Sequence, residues 1–347
     1  MSHIEFQHRH AGHCESGVMA SLMSHYGLAL SEPMAFGLSA ALLFAHFPFL
    51  RIGGVPLTAY RMPPGSIING VARVTGAHFE RRRFRDPDAG MRALDAALEA
   101  GRPVGVQTSV YWLPYFPPDM RFHFNAHNLV VYGRDGDNYL ISDPVFEAPQ
   151  RCPAEALRKA RFVRGAFAPR GLMYWPRRVP SSFDQRRAVR KAVARTLNIM
   201  TRAPVPWVGT RAIRRLATHI ERLGRRADPR YTRYLVGSII RMQEEIGTGG
   251  GGFRFMYASF LQEAAEALDA PDLSVCAEAM NDAGDRWRLF ALAGARFIRD
   301  RNEAGTGELA EALRHCADQE ETVYSMLREW LRGRPVPTAR VGTVSGD

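Results

Sequence analysis

From Phe183 to about Gly333 the sequence keeps one periodicity. Apolar residues recur every three to four positions through segments 183–201, 208–223, 228–245, 253–268, 272–299 and 306–332, the pattern of amphipathic helices packed into a bundle. Ahead of this run the signals are mixed: short β-former stretches, turns marked by Gly and Pro, and helical segments between them. Pro176 to Pro180 marks the break. The expected architecture is α+β, with a first domain over about 1–178, an all-α domain over 181–333 and a flexible tail over 334–347. The chain has 347 residues, long enough for two separate cores.

In the first domain one stretch, Gly12 to Met23, is organised around a cysteine. Val18, Leu22 and Met23 recur at helical spacing, and Cys14 falls in the first turn of the expected helix. The first amides of a helix lack intrahelical partners, and the helix dipole favours negative charge beside them. A thiolate there is stabilised and becomes a nucleophile near neutral pH, and the same amides can hold an oxyanion. Glu15 is expected to face away from the thiol and complement the helix N-terminus. A lone cysteine is more often buried packing, so Cys14 gains weight only from a second stretch.

That stretch is Ala126 to Pro144, which reads as a β-hairpin. Leu129 to Tyr132 is a strand, Asp135-Gly136-Asp137-Asn138 a turn and Tyr139 to Ile141 the return strand, stopped by Asp143-Pro144. His127 enters the first strand and Asp143 leaves the second, and in an antiparallel hairpin those two ends are neighbours. A carboxylate beside an imidazole fixes its tautomer and stabilises its cation. A cysteine at a helix start, a later histidine on a strand and an aspartate closing the next is the order of a papain-like Cys-His-Asp site. His123 is a rival base; His127 is preferred because it leads directly into the strand.

With these residues in view, the first half resembles the N-terminal domain of butirosin biosynthesis protein H-like acyltransferases, relatives of the papain-like cysteine peptidases. The resemblance rests on His13-Cys14-Glu15-Ser16, Tyr26-Gly27-Leu28, Leu30-Ser31-Glu32, Phe36-Gly37-Leu38, Ile52-Gly53-Gly54, Gly101-Arg102-Pro103-Val104, Leu113-Pro114-Tyr115, the His127 hairpin and Ser142-Asp143. The second half resembles that family's helical domain, most clearly at Gly247 to Arg254. The resemblance implies acyl transfer from a carrier-protein thioester to a small-molecule amine in specialised metabolism. Cys14 would carry the acyl group, His127 would move protons and Asp143 would orient His127. It implies no bound cofactor, a substrate carrying phosphopantetheine, and an acidic acyl carrier protein as partner.

Further site candidates surround these three. His13 adjoins the nucleophile. Gln7 and His8 precede Cys14 by about the interval at which papain-like enzymes place an oxyanion-donating glutamine. Tyr111 and Tyr115 belong to an aromatic, proline-rich loop that can wall a channel for an acyl chain or pack as surface. Arg254 follows the glycine run, which is read either as a flexible linker or as a loop that brings Arg254 to a substrate carboxylate or phosphate. One departure concerns the acceptor: the family has an acidic residue shortly before Leu113-Pro114-Tyr115, whereas Val106 to Trp112 holds none. The Cys, His and Asp positions are shared with double-glycine leader peptidases. A cysteine peptidase or amidase, and a binding protein with a relict site, therefore remain open.

Composition removes other classes. The net charge is +11 and only Lys159 and Lys191 are lysines. No zinc finger or ribonucleoprotein signature accompanies that charge, so nucleic-acid binding is not expected; a basic surface suits an acidic carrier protein. His3, His8, His10 and His13 lack the spacing of a metal site, and Cys14, Cys152, Cys276 and Cys316 fit no disulfide framework, which reads as a reducing cytoplasm. Nothing resembles a signal peptide. The most apolar run, Met34 to Leu50, is too short and too interrupted to span a membrane and reads as a buried helix from Pro33 to Phe47. The helical domain is open to homodimerisation.

Overall fold

The computed structural model describes residues 2–226, 228–245, 247–300 and 305–337. In chain order the elements are β1 (Ser2–His3), α1 (Cys14–His25), α2 (Glu32–Leu38), β2 (Leu42–Ile52), β3 (Val55–Arg61), α3 (Ser66–Thr75), β4 (His78–Arg82), α4 (Pro87–Glu99) and β5 (Val104–Thr108). There follow β6 (His127–Asp135), β7 (Asn138–Ser142), β8 (Gln150–Pro153), α5 (Ala154–Phe162) and β9 (Met173–Arg178). The remainder is helical: α6 (Gln185–Arg202), α7 (Thr210–Arg226), α8 (Pro229–Glu244), α9 (Arg254–Leu268), α10 (Pro271–Asp300) and α11 (Gly305–Leu331). The chain forms two compact units, one of residues up to Ala35 with Pro63–Asp184, the other of Phe36–Met62 with the residues from Gln185 onward.

The first unit is α+β. Its antiparallel sheet runs β4-β9-β5-β6-β7-β8, with β1 also paired to β6. Alternation along the strands sorts the side chains by face. Val104 and Val106, Leu129 and Val131, Ile141, and Met173 and Trp175 join Leu94 and Leu98 of α4 and Leu157 and Ala160 of α5 in one apolar core. α1 packs against β6 and β9. Asp86 caps α4 as its position suggests, accepting from the amides of Asp88 and Ala89, each at 3.1 Å. The β-formers of Phe162-Val163-Arg164 suggest a strand, but Ala154–Phe162 is helical and Val163 caps its end.

The C-terminal part is all-helical, and the compact unit it builds also takes in Phe36–Met62. That segment is not the buried helix expected over Pro33–Phe47. α2 stops at Leu38, and β2 and β3 then form a hairpin. Gly53 and Gly54 make its turn, both at positive φ (60° and 86°), the backbone that two-residue hairpin turns require. Pro48 inside β2 would break a helix but is tolerated at an irregularity of an edge pairing, and the register slips between Phe47 and Arg51. Aromatic packing fixes the segment in its unit. Phe44 and Tyr60 both lie against the Trp287 ring, at 5.4 Å, and Phe36 stacks on Phe253 at 4.9 Å. No helix among the described residues is long and apolar enough to cross a membrane. Of the expected tail, residues 338–347 lie outside the described residues.

Candidate active site

The site begins with the start of α1. His13 is its N-cap, in extended conformation, and its Nδ1 accepts from the Ser16 amide at 3.3 Å and meets Ser16 Oγ at 2.8 Å. The Glu32 carboxylate, at the start of α2, accepts from the amides of Gly12 (2.9 Å) and His13 (2.7 Å) and from Ser16 Oγ (3.1 Å). Burial raises the Glu32 pKa in spite of these bonds. Residues Cys14 to Met23 are all buried. His13, a site candidate by sequence, is therefore engaged as the cap that fixes where Cys14 sits.

Glu15 is fully buried and serves a second helix. Its Oε1 accepts from the amides of Ile67 (3.0 Å) and Ile68 (3.4 Å), at the start of α3, where Gly65 has no side chain to offer. This ties α1 to α3 and turns the carboxylate toward foreign amides.

Gly17 lets α1 approach the hairpin. A Cβ there would come within 2.7 Å of both the Ala11 and the Pro144 Cβ atoms, and the Ala11 amide donates to the Pro144 carbonyl at 2.7 Å. The first turn of α1 thus lies against the residue after Asp143. Gly17→Ala is expected to push the helix start away. Overpacking of this kind costs about 1–3 kcal/mol, and a displacement of about 1 Å in a reacting group can cost about 100-fold in rate. The expected result is a modest fall in melting temperature with a disproportionate, about 100-fold, loss of Cys14 alkylation by iodoacetamide. Loss of stability without loss of alkylation would show that the close approach serves packing alone.

His127 opens β6 opposite Thr108 of β5, and Asp143 follows Ser142, the last residue of β7, which pairs with Val130. The hairpin so brings the two side chains together. His127 Nε2 lies 2.7 Å from Asp143 Oδ2, the imidazole 4% exposed and the carboxylate fully buried. Tyr115 donates its hydroxyl to the same oxygen at 2.9 Å, and the Val145 amide donates to Oδ1 at 3.3 Å. Phe116 sets its ring edge-on to the imidazole at 5.5 Å. With Nε2 engaged by Asp143, Nδ1 is left to face the Cys14 thiol, which lies near enough to the ring to help raise its pKa. Burial pulls the His127 pKa down, but the Asp143 charge and hydrogen bond, with Cys14 beside it, pull harder and raise it to about 10.

The other three cysteines have no such partner. Burial pushes the thiols of Cys152 and Cys276 up to about 12 and that of Cys316 well above its ordinary value.

The remaining candidates are placed elsewhere. His8 spans the residues flanking Asp143, with Nδ1 2.8 Å from Ser142 Oγ and Nε2 2.9 Å from the Phe146 carbonyl. A carbonyl can only accept, so Nε2 carries the proton and Nδ1 accepts from Ser142; both nitrogens are committed to holding the hairpin end. Gln7 is exposed, and its amide oxygen accepts from Arg9 at 3.3 Å. No hydrogen bond joins either residue to the thiol among the described residues. Tyr111 is exposed and stacks on His123 at 4.2 Å, which places that rival base on the surface. Tyr115 lies behind Asp143 as a positioning residue, a role that no local pattern signals.

Arg254 is corrected outright. It is fully buried in the helical unit. Its Nε and one terminal nitrogen lie 2.9 and 2.8 Å from Glu320 Oε1, and its other terminal nitrogen donates to the Gly252 carbonyl at 2.6 Å. It is occupied as an internal ion pair. Nor is the glycine run a flexible linker. Gly249 to Gly252 all have positive φ, and a Cβ on Gly252 would come within 2.4 Å of Tyr60, so the run is a packed turn that only glycine can make.

A cysteine at the head of a buried helix, with a histidine and a carboxylate at the paired ends of a sheet hairpin, is the arrangement of papain-like cysteine enzymes. Residues 13–144 match the family model described as butirosin biosynthesis protein H, N-terminal. Residues 155–327 match that of a domain of unknown function, DUF4872. Among solved structures the chain is similar to one described as a C39-like peptidase from Bacillus anthracis, at 13% identity and a TM-score of 0.35, with 51% of this chain and 96% of that one covered. Comparison with curated proteins gives no match.

Proposed function

The chain belongs to the butirosin biosynthesis protein H-like family, and on that premise we propose that it moves an acyl group from a pantetheine thioester, through Cys14, to an amine. The observation that carries the reading is His127 held on Asp143 at 2.7 Å with the Cys14 thiol beside its ring. His127 takes the thiol proton, giving a thiolate beside an imidazolium. Sγ attacks the thioester carbonyl, and the oxyanion faces the first amides of α1. The carbon–sulfur bond to pantetheine breaks, the departing thiolate takes the proton from His127, and Cys14 holds the acyl group. An amine then attacks, His127 accepts its proton, the bond to Sγ breaks and an amide leaves. Splitting the transfer in this way replaces one hard step with two easier ones.

The partner that fits is an acidic acyl carrier protein in the cytoplasm, because a chain of net charge +11 attracts it. The same charge disfavours a polycationic acceptor, as does the lack of a carboxylate from Val106 to Trp112, so the acceptor is an amine of low positive charge. The test is intact-protein mass after incubation with acyl-pantetheine thioesters. Wild type is expected to gain the acyl mass, Cys14→Ala to gain none, and added amines to discharge the adduct as amides. Absence of an adduct across a broad thioester set would sink the reading, and cleavage of peptides by the same preparation would put a peptidase in its place.

A further inference from the structure

A second group of chemistry-bearing side chains lies wholly within the helical unit. His46 of β2, Trp207 in the turn before α7, and Arg214, Arg215, His219 and Arg222 of α7 line a cavity of about 340 Å³. His46 is 4% exposed. Thr58 Oγ1 holds its Nδ1 at 3.0 Å, and its Nε2 is buried without a partner among the described residues. His219 Nε2 is likewise buried and without a partner among the described residues, and the two rings are 5.9 Å apart. Arg214 is neutralised by Asp318 at 2.7 Å and Glu321 at 2.8 Å. Arg215 and Arg222 form no ion pair with any described residue, and no carboxylate is among the lining residues.

Buried polar atoms in folded proteins nearly always have partners, and an unmatched one points to a group that the structure does not hold. Here two buried, unmatched imidazole nitrogens share one cavity with the exposed guanidinium groups of Arg215 and Arg222. A ligand that answers all four must be anionic and must accept several hydrogen bonds at once. A phosphate does both, since guanidinium forks match its oxygens and imidazolium N–H groups donate to them. The cavity exceeds the size of the ion, and the Trp207 indole flanks the rest with a flat apolar surface suited to an attached organic group.

We propose that this cavity of the helical unit is a phosphate-binding site, in which Arg215 and Arg222 hold the anion and His46 and His219 donate to it through Nε2. It is independent of the acyl-transfer reading. Burial lowers the pKa of both imidazoles, that of His46 to about 4, and the Arg222 charge adds to the effect at His219, so both are neutral. An anion reverses that balance and draws protons onto them, so binding must strengthen as pH falls.

The test is calorimetric titration of the full chain at low ionic strength with inorganic phosphate, sulfate and adenosine 5′-monophosphate, against chloride at matched ionic strength. Wild type is expected to show one saturable site absent with chloride. Sulfate, whose own charge is constant between about pH 6 and 8, should bind more tightly at the lower value. Arg215→Gln/Arg222→Gln, checked for fold by circular dichroism, should bind about 100-fold more weakly. His46→Gln should bind with a flattened pH dependence. Tighter binding of the nucleotide than of phosphate assigns the site to a phosphate ester, and equal or weaker binding assigns it to the free ion. Binding indistinguishable from chloride, or unchanged affinity in the double arginine variant, overturns the proposal.

Discussion

Thioester turnover is expected to fall to one common floor in Cys14→Ala, in His127→Ala and in the double variant, about 10⁶-fold below wild type. The three losses coincide because nucleophile and proton carrier act as one unit: a thiol without its base and a base without its thiol are equally idle. Asp143→Asn leaves both reacting groups in place and should stop higher, about 10⁴-fold down. An amide there can still accept from Tyr115, whose hydroxyl shares Oδ2 with His127 Nε2, but it no longer stabilises an imidazolium. Single variants whose losses multiply in the double would show that Cys14 and His127 contribute independently, and the acyl-enzyme mechanism would fail.

The same variant has a signature in pH. His127 in the folded protein has its pKa raised from 6.5 to about 10. The stabilisation that its charge contributes is therefore complete below 6.5 and is lost as pH rises through about 10. In Asp143→Asn the charge that raises the value is gone, and burial, which lowers it, prevails. Imidazole ring NMR should place the His127 transition near 10 in wild type and far lower in the variant. The alkaline limb of turnover should move with it, since the departing thiolate is protonated by the imidazolium. An unmoved transition would mean that Asp143 does not hold the cation.

The parts of the fold that could be read in advance are those whose signals are local. Asp135-Gly136 turns the hairpin, β-formers flank it, and its two ends carry His127 and Asp143, so their meeting follows from antiparallel pairing alone. Asp86 and Gly101 bracket α4 in the same way. The run from Met34 to Leu50 misled because a segment buried on nearly all sides shows neither period. The cues that would have decided it, Pro48 and Gly53-Gly54, lie at its far end. Long-range pairings left no trace in spacing. Glu15 serves amides 52 and 53 residues away, Tyr115 reaches an aspartate 28 residues on, and His8 reaches across 134 and 138 residues to the hairpin end. Arg254 was misjudged for the same reason, since a glycine run suggests an open loop while its partner is 66 residues later.

That partner carries the largest expected effect on stability. Glu320 is fully buried. Oε1 faces Arg254 and accepts from Trp287 Nε1 at 2.7 Å, and Oε2 accepts from the Tyr324 hydroxyl at 2.8 Å. Glu320→Ala would leave a guanidinium in the core with only the Gly252 carbonyl and the faces of Trp287 and Tyr60, 5.0 and 5.8 Å away, to hold it. A buried cation stripped of its carboxylate costs about 3–5 kcal/mol, whereas cation–π contacts return about 2 kcal/mol at best. Glu320→Ala is therefore expected to unfold the helical unit at markedly lower urea concentration, read by tryptophan fluorescence and far-UV circular dichroism. The control is Arg254→Met/Glu320→Leu, which removes both charges and fills the space. It should recover most of the loss, because two paired charges in a core are near neutral against an apolar replacement. Recovery stays incomplete, since the Trp287 N–H and Tyr324 hydroxyl still lack their acceptor. If Glu320→Ala instead costs under about 1 kcal/mol, the magnitude of an exposed pair, water reaches Arg254, and the packed glycine turn above it is looser than its contacts imply.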